Sequence, residues 1–165
     1  MHIEQEQSMK LADIVVENAL RANLQASTRD EAIAELVQAL AEAGAIASDQ
    51  VESITKSILA REAQATTGLG KGVALPHAKL PSIKKPIVTF GISKEGIDFN
   101  SLDSQPVYSI ILLLSPAGAE NSDEHLQAME TIFKHVQRDL FRKFLTQAQT
   151  PEEIAELLHE ADNMN

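Results

Sequence analysis

The chain has 165 residues, a length typical of one folded domain, and its 44% hydrophobic and 23% charged residues argue against a disordered or fibrous protein. It contains no cysteine, which excludes disulfides, thiolate nucleophiles and thiolate-bound metal centres. Its formal net charge of −10 repels the phosphate backbone of nucleic acids, so no nucleic-acid partner is expected.

The first ten residues are polar. They include two glutamates and no apolar run, and residues 1–10 are expected to form a flexible N-terminal arm instead of a secretory signal. The longest apolar run, residues 110–114, is too short to cross a bilayer, which requires roughly 20 residues. A cytoplasmic protein without direct membrane insertion is therefore expected.

Two amphipathic helices are predicted in the first part of the chain. Between residues 28 and 43 the apolar residues recur at helical spacing, and Thr28 and Glu31 form a capping-box pattern at the start. Gly44 is a natural end for this helix, and a second helix is predicted from about residue 49 to residue 60. The two helices are expected to form a hairpin.

Strands are predicted in the middle of the chain and helices after them. Residues 87–92 and 107–114 are rich in β-branched and aliphatic residues, and the second run is apolar for most of its length, as in a central strand. Three further helices are predicted at residues 123–136, 139–147 and 151–161. The predicted fold is a single α/β domain over residues 11–161, with a mixed β-sheet flanked by helices on both faces.

The positive charge of the chain is concentrated in one segment. Residues 61–85 carry five lysines and arginines against Glu62 alone, a net charge of +4 in a chain whose other residues sum to −14. The segment is either a solvated loop or an anion site, and composition leaves both interpretations open.

Within this segment, Gly68, Gly70 and Gly72 alternate through a turn-rich stretch. A nucleotide P-loop is excluded because Gly70-Lys71 is followed by glycine and lacks the required upstream glycine, and a Rossmann fingerprint is excluded because Val73 stands where its last glycine belongs. No HExxH motif occurs, so neither a metal site nor a cofactor is predicted.

A short apolar run follows these glycines, and Pro76 and His77 come directly after that run. A neutral imidazole can attack phosphorus and release it again, which suits a phosphoryl carrier. A histidine after proline is by itself more often a loop or packing residue, so the position alone does not establish chemistry.

The whole string is more specific. One pattern runs from Glu62, over six intervening residues, to Leu69-Gly70, and after two more residues to the hexapeptide VALPHA at residues 73–78. This pattern resembles the type 2 enzyme IIA domains of the bacterial phosphotransferase system, which include fructose, mannitol and nitrogen-regulatory branches. The resemblance continues through residues 96–99 and His125-Leu126 and covers about residues 11–161. It implies a mixed sheet flanked by helices, in agreement with the predicted fold.

The resemblance implies a phosphocarrier. His77 corresponds to the phosphorylated histidine, which takes its phosphoryl group from an HPr-type protein and donates it to an enzyme IIB domain. His125 corresponds to the second histidine of the site and Arg61 to an arginine near it. Backbone N–H groups around 68–72 are expected to complete the anion pocket.

Other interpretations stay open at this point. His125 also fits a packed residue at the start of a helix, and Arg61 fits an ion-pair partner of Glu62 or a helix C-terminal cap. His135 and His159 are expected to be structural. A nitrogen-regulatory type of protein, which acts mainly by binding regulatory partners, is the alternative to a role in sugar transport.

Overall fold

A computed structural model describes residues 9–118 and 122–163 of the chain. The predicted arm at residues 1–10 lies outside the described residues except for Met9 and Lys10, and Met9 packs against the core. The helices are α1 (Leu11–Ile14), α2 (Arg29–Glu42), α3 (Val51–Gln64), α4 (Ser122–Val136), α5 (Asp139–Gln147) and α6 (Pro151–Asp162). The strands are β1 (Gly68–Gly70), β2 (Val73–Ala74), β3 (His77–Leu80), β4 (Ile87–Ile97) and β5 (Val107–Pro116).

The five strands form one mixed sheet around β5. Strand β4 pairs antiparallel with one side of β5, and β2 and β3 pair parallel with the other side. Strand β2 lies opposite 109–110 and β3 opposite 113–116, so the two are successive pieces of one edge, separated by Leu75 and Pro76. Strand β1 pairs antiparallel with β2.

Helices cover both faces of the sheet because the residues of β5 are apolar on both. Ile110, Leu112 and Leu114 pack in one cluster with α2 and α3. Ile111 and Leu113 pack in a second cluster with α1, α4, α5 and α6. Both clusters are fully buried around β5, which confirms the predicted central strand and the predicted fold class.

The predicted helices are all present, with small differences at their ends. Helix α2 begins after Thr28, whose hydroxyl accepts the N–H of Glu31 at 3.3 Å. Helix α3 continues to Gln64 instead of ending at residue 60, so Arg61 lies in its last turn. Helix α1 and the 3-10 turn Glu17–Ala19 were not predicted. Within the described ranges, no helix has the length and hydropathy needed to cross a membrane.

The glycines at 68–72 serve the backbone geometry of the β1–β2 hairpin. Gly70, Lys71 and Gly72 have φ angles of 90°, 58° and 80°, so the chain reverses through left-handed conformations. A Cβ on Gly68 would lie 2.1 Å from Oγ and 3.1 Å from Cα of Ser101. Gly68 is therefore required because the loop at Ser101 packs directly on its backbone.

We expect Gly68→Ala to lower the free energy of unfolding by about 1–3 kcal/mol, the usual cost of overpacking, as measured by urea denaturation. The matched control is Gly68→Ala combined with Ser101→Gly, which removes the Oγ and Cβ atoms that the new methyl group meets. This double variant should recover most of the loss. A Gly68→Ala protein as stable as the wild type would show that this close approach is absent in solution.

Candidate functional site

His77 lies where the edge of the sheet is interrupted. Pro76 has no N–H to donate, but its carbonyl accepts the N–H of Leu113 at 3.0 Å, and β3 then begins at His77 opposite Leu113. The His77 ring is half-buried and folds back toward Leu75, the residue before the proline.

The orientation of the His77 ring is set by the main chain. Nδ1 lies 2.8 Å from the carbonyl oxygen of Leu75. Since a carbonyl oxygen only accepts hydrogen bonds, Nδ1 donates, and the neutral ring therefore has its lone pair on Nε2.

Burial, more than any other effect, lowers the pKa of His77 below its ordinary value of 6.5. The hydrogen bond to Leu75 raises the pKa of His77, whereas the nearby positive charges of Arg61 and Lys79 lower it further. Glu62 raises the pKa of His77, but the net direction is downward. The ring is thus kept neutral near pH 7.

The second histidine approaches from the first turn of α4. The ring centroids of His125 and His77 are 5.8 Å apart and their planes are inclined by 45°. Nδ1 of His125 lies 2.8 Å from Oγ of Ser115, which is fully buried on β5. Burial, followed by the charges of His77 and Lys79, lowers the pKa of His125.

Arg61 caps the C-terminus of α3. Its Nη1 donates to the carbonyl of Ala65 at 2.8 Å, and its charge is still close enough to lower the pKa of His77. The buried carboxylate of Glu62 is directed at Thr67, from which it accepts the N–H at 2.8 Å and the hydroxyl at 2.6 Å. Of the alternatives open for Arg61, the structure therefore favours the helix cap.

The glycine loop does not supply the expected anion pocket at two of its positions. The N–H of Gly68 donates to Oγ1 of Thr66 at 3.0 Å, and the N–H of Lys71 donates to a carboxylate oxygen of Asp103 at 3.0 Å. These two N–H groups are therefore not free to bind an anion, because side chains of the protein already occupy them. The positive charge that acts on both histidines comes from Lys79.

Three groups of the candidate site were not predicted from the sequence: the Leu75 carbonyl, Ser115 and Lys79. Lys79 follows His77 by two residues in β3 and lies opposite Ser115 in β5. A period of two along a strand puts His77 and Lys79 on one face of β3, and this spacing could have identified Lys79 from the sequence. Ser115 ends an otherwise apolar run, but its contact with His125 depends on how α4 packs.

The other described histidines make separate contacts. Nε2 of the buried His135 lies 3.9 Å from a carboxylate oxygen of Asp162, whose carboxylate also accepts the first N–H groups of α1. Nε2 of His159 lies 2.8 Å from a carboxylate oxygen of Glu17. These contacts agree with the structural roles expected for both residues.

The sequence matches, over residues 13–161, the family model described as "Phosphoenolpyruvate-dependent sugar phosphotransferase system, EIIA 2". It is 32% identical over 154 residues to the PTS system fructose-specific EIIABC component of Bacillus subtilis (strain 168), covering 93% of this chain and 24% of that protein. The chain thus spans about a quarter of the length of this relative. It is 36% identical over 124 residues to a nitrogen regulatory protein of Bradyrhizobium diazoefficiens, covering 75% of this chain and 78% of that protein.

The fold is also similar to that in a solved complex of enzyme IIAMTL and phosphorylated enzyme IIBMTL from Escherichia coli. The TM-score is 0.69 at 22% identity, covering 87% of this chain and 95% of that one. With the family match extending over nearly the whole folded region, this chain belongs to the type 2 enzyme IIA family of the phosphoenolpyruvate-dependent sugar phosphotransferase system.

Proposed function

We propose that this protein is a phosphocarrier: it accepts a phosphoryl group from an HPr-type protein on Nε2 of His77. It then donates the group to an enzyme IIB domain or uses it as a phosphorylation-state signal. The observation that carries this proposal is the 2.8 Å contact between Nδ1 of His77 and the Leu75 carbonyl, beside the ring of His125.

The transfer step exchanges one covalent bond for another. The lone pair of Nε2 forms a bond to phosphorus while the bond between phosphorus and the donor histidine breaks, and the donor nitrogen leaves with that electron pair. The His77 ring then carries phosphorus on Nε2 and a proton on Nδ1, so it becomes cationic. The Leu75 carbonyl, which already accepts that N–H, stabilises the positive ring.

Charge stabilisation of the moving group falls to the neighbours of His77. Phosphoryl transfer depends chiefly on positioning and on positive groups around the equatorial oxygens. His125 can donate a hydrogen bond, and Arg61 and Lys79 supply positive charge. His125 also lies in the first turn of the 15-residue helix α4, where the helix dipole favours an anion.

The downstream partner defines two versions of the function. The complex of IIAMTL with phosphorylated IIBMTL supports an enzyme IIB partner, and the nitrogen regulatory relative supports a regulatory protein as partner. In either case the phosphate adds up to about two negative charges at the exposed edge of the site, which a docked partner would sense. Both versions place the protein in the cytoplasm, where phosphoenolpyruvate is available.

The first test is to replace the proposed nucleophile. His77→Ala should abolish labelling by phosphoenolpyruvate, enzyme I and an HPr-type donor, because it removes the ring that carries the attacking lone pair on Nε2. The wild type should carry one acid-labile, base-stable phosphoryl group, measured with radiolabelled phosphoenolpyruvate as its source. His159→Ala, which removes a half-exposed histidine in contact with Glu17, is the control and should label normally. Label persisting in His77→Ala would refute the assignment.

The second test concerns the supporting ring. His125→Ala should lower the rate of phosphoryl acceptance roughly 100-fold, the usual cost of losing one donor to a transition-state oxygen. Rapid-quench kinetics give the rate, and circular dichroism checks that the fold survives. If acceptance and donation both proceeded at wild-type rates, His125 would have no part in the transfer.

The third test is pH dependence. Protonation removes the lone pair of Nε2, so acceptance should fall as the pH is lowered through the pKa of His77. Because burial lowers this pKa, the midpoint should lie below 6.5. Acceptance rates measured from about pH 5 to about pH 8 would give this midpoint. Because the donor protein also titrates, NMR titration of the His77 ring in the absence of donor is the control. A ring midpoint above 6.5 would contradict the buried, neutral His77.

A further inference from the structure

The two histidines of the site have different partners for the same ring nitrogen. Nδ1 of His77 meets a main-chain carbonyl and Nδ1 of His125 meets the hydroxyl of Ser115, each at 2.8 Å. A carbonyl can only accept a hydrogen bond, whereas a hydroxyl can donate or accept. The hydroxyl of Ser115 is therefore compatible with a proton on either nitrogen of the neutral His125 ring, and the surroundings of the ring decide which nitrogen carries it.

The chemistry of the site favours one arrangement. With Nδ1 of His125 engaged by Ser115, the nitrogen left for a phosphoryl oxygen is Nε2. It can donate to that oxygen only if the neutral ring carries its proton there, which requires Nδ1 to accept the hydroxyl proton of Ser115. A carbonyl in place of Ser115 would hold the proton on Nδ1 and turn a lone pair toward the anion.

We propose that Ser115 is a positioning residue of the phosphoryl site: its hydroxyl donates to Nδ1 of neutral His125 and keeps the proton of that ring on Nε2. The two rings thus hold opposite tautomers, with the lone pair of His77 on Nε2 as nucleophile and the proton of His125 on Nε2 as donor. The catalytic part of the inference rests on the proposed function, but the tautomer does not.

A hydroxyl also suits the phosphorylated state. A new dianionic group beside His125 favours binding of a second proton by this ring, on Nδ1. The Ser115 hydroxyl can then rotate and accept from Nδ1, so its oxygen stays in contact with the ring in both protonation states. Ser115 is fully buried and His125 is only 7% exposed, so a water molecule from bulk solvent cannot easily replace this partner.

The direct test is the tautomer of His125 in the full-length, unphosphorylated protein. In long-range ¹H–¹⁵N NMR spectra near neutral pH, His77 should be protonated on Nδ1 and His125 on Nε2 in the wild type. Ser115→Ala should give a mixture of tautomers at His125 alone, and Ser115→Thr, which keeps the hydroxyl, should restore the single form.

Ser109→Ala is a matched control. Ser109 lies on the same strand, is 1% exposed, and its hydroxyl has no hydrogen-bond partner among the described residues. Removing it tests the loss of a buried β5 hydroxyl that touches neither ring, so both tautomers should stay as in the wild type.

The second measurement is phosphoryl acceptance from an HPr-type donor. Ser115→Ala should slow it roughly three- to tenfold, as expected for one neutral hydrogen bond, while Ser109→Ala keeps the wild-type rate. The proposal is overturned if wild-type His125 carries its proton on Nδ1, or if Ser115→Ala changes neither the tautomer nor the rate. Failure of His77 to accept phosphate would overturn the proposed function only, since the tautomer shift requires no phosphate.

Discussion

The structure of the site depends on one hydrogen bond, from Nδ1 of His77 to the carbonyl oxygen of Leu75. It lies where the ladder along β5 is interrupted at Leu75-Pro76, since proline has no N–H to donate. The bond joins residues two apart in the chain, so it fixes the ring relative to its own backbone. The nitrogen of the neutral His77 ring that keeps its lone pair is therefore set locally by the Leu-Pro-His sequence, which β5 holds in place.

The elements around this bond supply the other features that the proposed phosphoryl carrier requires. A ring that must be neutral to accept and must bear a dianion afterwards needs burial before transfer and positive neighbours after it. Burial lowers the pKa of both histidines, and the positive charge of Lys79 acts on both. Glu62 balances part of that charge while it anchors Thr67 and the glycine loop. The residues outside 61–85 sum to −14, so this basic segment is the exception in an acidic chain.

Much of the fold could be predicted from the sequence because it follows from local periodicity. Strand β5 is apolar at every position from 110 to 114, and only burial on both faces explains such a run. Helix α1 could not be predicted, since four residues have no usable period and its first N–H groups bond to the carboxylate of Asp162, about 150 residues away. The candidate residues of the site were predicted from a family motif, whereas the contact of Ser115 with His125 depends on tertiary packing. Two N–H groups of the glycine loop are not available to an anion, and nothing in the sequence shows that Thr66 and Asp103 occupy them.

The central claim is that phosphorus binds Nε2 of His77. The most direct measurement is NMR of the phosphorylated protein labelled with ¹⁵N in its histidine rings, in which coupling to ³¹P identifies the bonded nitrogen. Coupling to Nε2 of His77, with Nδ1 of the same ring still protonated, is the predicted result. Coupling to Nδ1 of His77, or to a nitrogen of any other histidine, would contradict the account.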